Sequence, residues 1–318
     1  MDDRASAPRL SVVLVSFNSA EVVRGALDPL RSVPDIEVIV VDNNSSDDTR
    51  QVLKRDYPEV IVVANGENVG FARAVNEGVR RASGDALMLL NPDAALDAAA
   101  IDVLLERSRA DHAGLIAPFI GHDFQRIVSA GWLPTTWRMF THYSGLSRFA
   151  GSRTWLQGHY LFPAQLETET PVEWVTGACF VCQRAVWDSV GGLSERWFMY
   201  AEDIEFSGRV HEAGYENVVM RNAVAHHAVG GSDSSRSLSG SSAWVINLRD
   251  YFARDLATSR ASVAVWTAVV AGGLASRAAV FAALALRSRS NRGRRLAEAR
   301  TFAGYAKSLL TSPTRSAR

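Results

Sequence analysis

The apolar positions along the first 120 residues alternate between two periods. Residues 10–17 (LSVVLVSF) form an apolar run of strand length, and residues 19–30 then repeat their apolar positions at helical spacing. The alternation continues, predicting strands at 36–41, 60–64, 86–90 and 115–119 and helices at 47–56, 70–82 and 97–110. Near-continuous apolar strands separated by amphipathic helices predict an α/β body, a mostly parallel sheet covered by helices on both faces. In such sheets the ligand site lies off the carboxyl ends of the strands. Four of the strands end in turns rich in Asn, Asp and Ser: 16–19 (SFNS), 42–48 (DNNSSDD), 65–70 (NGENVG) and 91–93 (NPD). Helix capping accounts for one such residue per helix, Ser45 or Asp47 for example, but not for clusters.

From 122 to 170 the pattern turns irregular and aromatic, with Trp132, Trp137, Tyr143, Trp155 and Tyr160, which predicts a long excursion of loops. Long loops beside a site often touch substrate. Regular structure is predicted again at 172–182 (strand), 184–190 (helix) and 202–214 (helix, closed by Gly214), then strands at 216–220 and 223–227. A Gly/Ser-rich loop follows at 230–242, and the remainder reads as helix.

Charge changes this picture at the C-terminus. The formal net charge is zero, yet residues 253–318 carry twelve Lys and Arg against two acids, Asp255 and Glu298. Within that segment, residues 261–285 hold a single charge, Arg277, and five arginines (287, 289, 292, 294 and 295) follow directly. An Ala/Gly-rich apolar helix beside an arginine cluster suits a segment lying on an anionic membrane surface better than one crossing it. The two cysteines, Cys179 and Cys182, fall three apart in a predicted strand, on opposite faces, and are expected to be buried reduced thiols. With no disulfide framework and no N-terminal signal pattern, the expected location is the cytoplasm.

Five segments, in order, resemble one family: SVVLVSFNS (11–19), VDNNSSDDT (41–49), NVGFARAVNEGVRRASGDALMLLNPD (68–93), TGACFVCQRAVWDSVGGLSERWFMYAEDIEF (176–206) and AVAHHAVGGS (223–232). The chain resembles the family-2 glycosyltransferases of the glycosyltransferase-A fold, and within them the rhamnosyltransferases of bacterial cell-wall and polysaccharide assembly. The resemblance covers residues 10 to about 232 and implies a catalytic domain (10–242), which leaves a tail (1–9) and the basic helical C-terminal segment (243–318) expected from its charge to associate with the membrane. It implies an inverting enzyme that takes a sugar from a nucleotide diphosphate-sugar, dTDP-L-rhamnose as the best match. The acceptor would be a hydroxyl of a polyprenyl diphosphate-linked saccharide. No single residue separates rhamnose from galactose, glucose or N-acetylglucosamine.

The resemblance also carries roles onto positions. Ser16 and Asn18 would line the nucleotide pocket, Asp42 would accept from the base imide, and Asn68, Gly70, Arg73 and Asn91 would line the nucleotide and sugar region. Asp93 stands at the family's metal-binding acidic motif, with Asn91 where the first Asp of Asp-x-Asp is usual, so Mg²⁺ or Mn²⁺ is the implied cofactor. His226 or His227 would approach the metal or diphosphate, and neighbours on a strand point opposite ways, so only one serves. Asp203 would be the general base with Glu202 orienting it, against the alternative that acids simply favour a first helical turn. Gly177, Trp197 and Phe198 would meet the acceptor.

Two other classes fail on the same segments. A dinucleotide-binding dehydrogenase needs Gly-x-Gly-x-x-Gly after the first strand, and 16–19 contains no glycine. A sugar-1-phosphate nucleotidyltransferase needs a Gly-rich basic phosphate loop near its start, and none stands there. A non-catalytic binding protein of the same fold would be expected to lack Asp93 or Asp203, and both are present. Nucleic acid is not an expected partner.

Overall fold

The computed structural model describes residues 8–121, 130–151, 153–227, 241–287 and 290–313. They form two compact units: Met1–Gly131 with Phe162–Ser239, and Trp132–Leu161 with Gly240–Arg318. Residues 1–7 of the expected tail, the Gly/Ser-rich loop up to residue 240 and Arg289 lie outside the described residues.

The first unit is built on a nine-stranded sheet. Strands β1 (Leu10–Ser16), β2 (Ile36–Asp42), β3 (Ile61–Ala64) and β4 (Ala86–Leu90) are parallel, in the order β3-β2-β1-β4. Helices α1 (Val23–Leu30), α2 (Thr49–Asp56) and α3 (Phe71–Arg81) make the crossovers. Leu10, Val12 and Leu14 pack into the core with Leu27 and Leu53, while Val13 packs on the other face, against Gly78 of α3. A side chain at Gly78 would enter the Val13 and Val41 methyls, so its absence lets the helix lie close to the sheet.

The second half of the sheet is mixed. After β5 (Ala94–Ala95), α4 (Ala98–Ser108), β6 (Ala113–Gly121) and β7 (Ala130–Gly131), the segment expected as one strand at 172–182 divides. It becomes β8 (Glu169–Val172), β9 (Trp174–Val175) and β10 (Cys179–Gln183), with a turn at 176–178. Strand β10 inserts antiparallel between β4 and β6. Both cysteines are buried there, and burial holds their thiols well above the ordinary range. Helices α6 (Arg184–Val190) and α7 (Glu202–Glu212) follow. The two strands expected at 216–227 are one, β11 (Glu216–His227), with an irregularity between Met220 and Val224.

The second unit joins α5 (Thr136–Ser144) to α8 (Ala243–Tyr251), α9 (Arg260–Arg287) and α10 (Arg292–Thr311). The stretch 132–161, predicted as an excursion of the α/β body, groups with these helices. Gly273 of α9 meets the Tyr143 ring so closely that a Cβ there would overlap it, and the Trp266 indole donates to the Pro134 carbonyl (2.7 Å). Arg249, buried, donates to the carbonyls of Leu309, Ser312 and Pro313, satisfying the end of α10.

Candidate active site

The loops at the carboxyl ends of β1 and β2 are pinned to each other. Asn18, in the left-handed region (φ 48°), accepts at Oδ1 from the N–H groups of Ser46 (2.7 Å) and Asp47 (3.3 Å), while its own N–H donates to Ser45 Oγ (2.9 Å). Asp42, the last residue of β2, is fully buried and accepts four hydrogen bonds. The donors are Ser16 Oγ (3.1 Å), Ser45 N–H (3.1 Å), Ser45 Oγ and Arg50 Nε. Ser16, Asn18 and Asp42 thus form a bracing network, and none of the three is among the residues lining the cavity beside it.

A cavity of about 230 Å³ opens off the strand ends. Of the residues expected at the site, Asn68, Asn91, Asp93, Gly177, Glu202 and Asp203 line it. Asn91 is held by its N–H on the Ala178 carbonyl (2.8 Å), which ties the end of β4 to the turn before β10. Asn68 Oδ1 accepts from Gly70 N–H (3.1 Å). Gly70 itself (φ 87°) serves packing: a Cβ would lie 2.5 Å from the Phe198 carbonyl oxygen, which accepts from Phe71 N–H (2.9 Å). Trp197 is buried beneath the Arg196 guanidinium, 4.5 Å from its ring, and Phe198 is exposed; neither lines the cavity, nor does exposed Arg73. Across β5 and β11, His226 stands in register with Ala95 and His227 with Ala94, one residue from Asp93; the His226 side chain is exposed, and that of His227 lies outside the described residues.

Sequence reasoning missed Phe17, Asn43, Phe71, Met199 and Tyr200 on the wall. Phe17 and Asn43 sit inside the polar strand-end turns, so a rule that took every residue of those turns would have found them; Phe71, the first residue of α3, lies just past one. Met199 and Tyr200 carry no such signal.

The start of α7 brings two acidic side chains together. Tyr200 (φ 72°) and Ala201 (φ 78°) are consecutive non-glycine residues in the left-handed region, at a cost of roughly 1 kcal/mol or more each. This kink brings the next two side chains, Glu202 and Asp203, to the cavity. Glu202 is 4% exposed, and its Oε2 has no hydrogen-bond partner among the described residues. Burial first, and the neighbouring Asp203 second, push its carboxyl up to about 8. Burial also raises Asp203, opposed by backbone N–H donors from Gly177 (3.0 Å) and Ile204 (2.9 Å). Glu205 differs: ion pairs to Arg196 (3.2 Å) and Arg209 (2.9 Å) employ it structurally. A carboxyl raised toward neutrality at a cavity wall can take a proton from a bound hydroxyl.

A mixed sheet with a parallel first half, and carboxylates gathered at its strand ends around one cavity, is the arrangement expected of the glycosyltransferase-A fold. The chain belongs to glycosyl transferase family 2, whose sequence model matches residues 11–184. It is 32% identical over 235 residues to the N-acetylglucosaminyl-diphospho-decaprenol L-rhamnosyltransferase of Mycobacterium tuberculosis, covering 69% of this chain and 76% of that one. It is 27% identical over 204 residues to the low-salt glycan biosynthesis hexosyltransferase Agl10 of Haloferax volcanii, covering 63% and 61%. In structure it resembles the mannosyltransferase PcManGT from Pyrobaculum calidifontis, solved with GDP-Man and Mn²⁺. The TM-score is 0.60 at 18% identity, covering 96% of this chain and 88% of that one. Staphylococcus aureus TarS, solved with UDP-GlcNAc, gives a TM-score of 0.53 at 14% identity, covering 92% and 79%.

Proposed function

We propose that this glycosyltransferase moves L-rhamnose from dTDP-L-rhamnose, with inversion, to a hydroxyl of a polyprenyl diphosphate-linked saccharide in cell-wall or polysaccharide assembly. Three carboxylates on one cavity wall carry the chemistry: Asp93 after β4, and Glu202 and Asp203 at the start of α7. The sugar and acceptor follow the mycobacterial rhamnosyltransferase at 32% identity.

Asp203 takes the proton of the acceptor hydroxyl while the acceptor oxygen forms its bond to the anomeric carbon. The bond from that carbon to the diphosphate breaks, and its electron pair leaves on the nucleoside diphosphate. Gly177 and Ile204 N–H groups hold the Asp203 carboxylate in place, and Glu202, kept protonated by burial, adds no second negative charge beside it. Asn68 and Asn91 offer amide groups to the donor from the same wall.

Among the described residues, no three His, Cys, Asp or Glu side chains converge as a metal-holding group. Asp93, nearly buried at the cavity wall, fits the other common arrangement, in which a hard cation takes one protein carboxylate and draws its remaining ligands from phosphate and water. Asp93 would hold it, with His226 or His227 on the adjoining strand end as the neighbouring donor. When bound, Mg²⁺ or Mn²⁺ offsets charge on the leaving diphosphate.

The protein acts, on this reading, at the cytoplasmic face of the cell membrane. Helix α9 is long and apolar enough to cross a bilayer by length and composition, yet Arg277 interrupts it and Arg287, Arg292, Arg294 and Arg295 follow. This composition favours a helix lying on an anionic surface.

A donor screen tests the proposal. Nucleoside diphosphate release would be followed with dTDP-rhamnose and with UDP- and GDP-sugars, with and without Mn²⁺, beside an Asp203→Asn control and with a membrane extract as acceptor. Release from dTDP-rhamnose that vanishes in the variant is expected. Release from another sugar keeps the chemistry and discards rhamnose, and silence with every donor overturns both.

A further inference from the structure

We infer that the stretch from Thr136 to Leu156 is a lipid-docking surface that seats its aromatic side chains in the headgroup zone of an anionic bilayer. Five large hydrophobic side chains are exposed within 19 residues there: Phe149 (73%), Trp155 (61%), Trp137 (49%), Phe140 (41%) and Leu146. Four of the five exposed aromatic side chains among the described residues fall in this stretch, so the exposure is a concentrated feature and not the scatter normal to a soluble surface.

The patch is built and not frayed. Helix α5 starts on a Thr135 cap, whose Oγ accepts from Arg138 N–H (3.3 Å), and stops at Gly145 in the left-handed region (φ 80°). The Trp137 indole donates to the Trp155 carbonyl (2.6 Å), tying α5 to the short 3₁₀ turn Thr154–Leu156, and the Trp137 and Phe140 rings lie 5.5 Å apart. A Trp whose ring stays exposed while its N–H is satisfied suits an interface that is apolar on one side and wet on the other.

Charge selects the occupant. Between residues 132 and 161 there are three arginines and no acid, and Arg148 and Arg153 are exposed among the aromatic side chains. Exposed aromatic rings interleaved with arginine, and no carboxylate, match a negatively charged lipid surface more closely than a protein partner, whose patch would need its own run of acids. The same unit carries α9 with Val265, Val280 and Leu286 exposed, beside the basic start of α10, so two separate stretches of one unit call for the same partner. The inference deepens the membrane reading above but stands on other residues, and it does not depend on which sugar is transferred.

The test is vesicle partition of the full chain, by co-sedimentation with vesicles of phosphatidylcholine and phosphatidylglycerol in equal parts. Phe149→Ser with Trp155→Ser is expected to lower the partition coefficient roughly tenfold or more, since both rings are solvent-exposed and their loss leaves the core untouched. Arg148→Gln with Arg153→Gln is expected to lower binding to the mixed vesicles roughly tenfold and to leave binding to phosphatidylcholine alone unaltered. Near-ultraviolet circular dichroism checks that each variant is folded. Partition of the folded aromatic variant within about twofold of the parent would overturn the proposal and leave lipid contact to the C-terminal helices. A change of sedimentation state with partition unaltered would also overturn it, assigning the patch to a second copy of the chain. Nucleoside diphosphate release with detergent-dispersed acceptor separates the two readings. It persists in the docking variants if only docking is lost, and it is missing from the parent itself if the proposed transfer is wrong.

Discussion

Two buried carboxylate positions in the sheet unit have opposite surroundings. Asp42 is fully buried and receives four donors, three of them from side chains: Ser16, Ser45 and Arg50. Glu202 is buried and Asp203 half-buried, yet among the described residues Asp203 receives only backbone N–H groups and Glu202 Oε2 receives nothing. The first arrangement holds loops in place. The second leaves carboxyls raised by burial at a cavity wall, which is what a proton-transfer step requires. Burial alone therefore does not distinguish the two positions; the donors do, four of them at Asp42, two backbone N–H groups at Asp203 and none at Glu202 Oε2 among the described residues.

The largest expected effect falls on the uncompensated side. Asp203→Asn keeps the size and both backbone donors within reach but removes the proposed base, and kcat should fall by about 10²–10⁴ while the unfolding midpoint stays within error of the parent. Because burial raises Asp203, the acid limb of the kcat profile should lie above the ordinary aspartate range of about 4, activity being lost as pH falls through the raised value. An acid limb at the ordinary position would remove burial from the explanation.

On the compensated side the expected effect is on stability. Asp42→Asn leaves Arg50 without its counter-charge and replaces an acceptor oxygen by a donor facing other donors. A loss of about 2 kcal/mol in denaturant unfolding is expected, below the value for a fully buried pair because Arg50 is partly solvated. If Asp42→Asn instead abolished turnover with stability unchanged, Asp42 would belong to the ligand and not to the brace.

Glu202 sharpens the contrast through pH. Its folded value, about 8, lies above the ordinary 4.5, so the native chain holds an extra proton between those limits. Its contribution to stability is present in full below about 4.5 and is lost as pH rises through about 8. Glu202→Gln should flatten the fall in melting temperature between those values, removing a pH-dependent difference of up to a few kcal/mol. An unchanged slope would mean that the carboxyl finds a donor in solution.

These contrasts were unevenly legible in the sequence. Helix α3 and strands β1, β2 and β4 were predicted nearly to the residue, because each has a strong apolar period and a polar turn at its end. That Asn68, Asn91 and Asp93 lie at the cavity was readable from the polar strand-end turns, where such sheets bind ligands, whereas Glu202 and Asp203 were pointed to by the resemblance to the family. Strand direction was not readable: nothing local in 179–183 says that β10 runs antiparallel between β4 and β6. Nor was the kink at Tyr200 and Ala201, whose left-handed backbone no non-glycine sequence announces. Nor was the close approach of the Phe198 carbonyl to Gly70, a long-range contact that spacing does not encode. The pairing of 132–161 with the C-terminal helices escaped for the same reason.

Gly177 offers the finest test of the two environments, because it supplies Asp203 with a donor that no side-chain change can remove. Its N–H holds Asp203 Oδ2 at 3.0 Å, and an added Cβ would lie 3.3 Å from the Phe71 ring and 3.5 Å from the Asp203 Cβ. Gly177→Ala therefore keeps the donor, asks the Phe71 ring to give slightly, and places a methyl in the cavity wall. If that wall receives the acceptor, the acceptor KM should rise several-fold, with kcat and its acid limb little changed and a stability cost of roughly 1 kcal/mol or less. A fall in kcat with KM constant would mean that the methyl displaces Asp203 itself. The carboxylate would then depend on the exact path of the turn at 176–178, and its backbone donors would be as demanding of position as the side chains around Asp42.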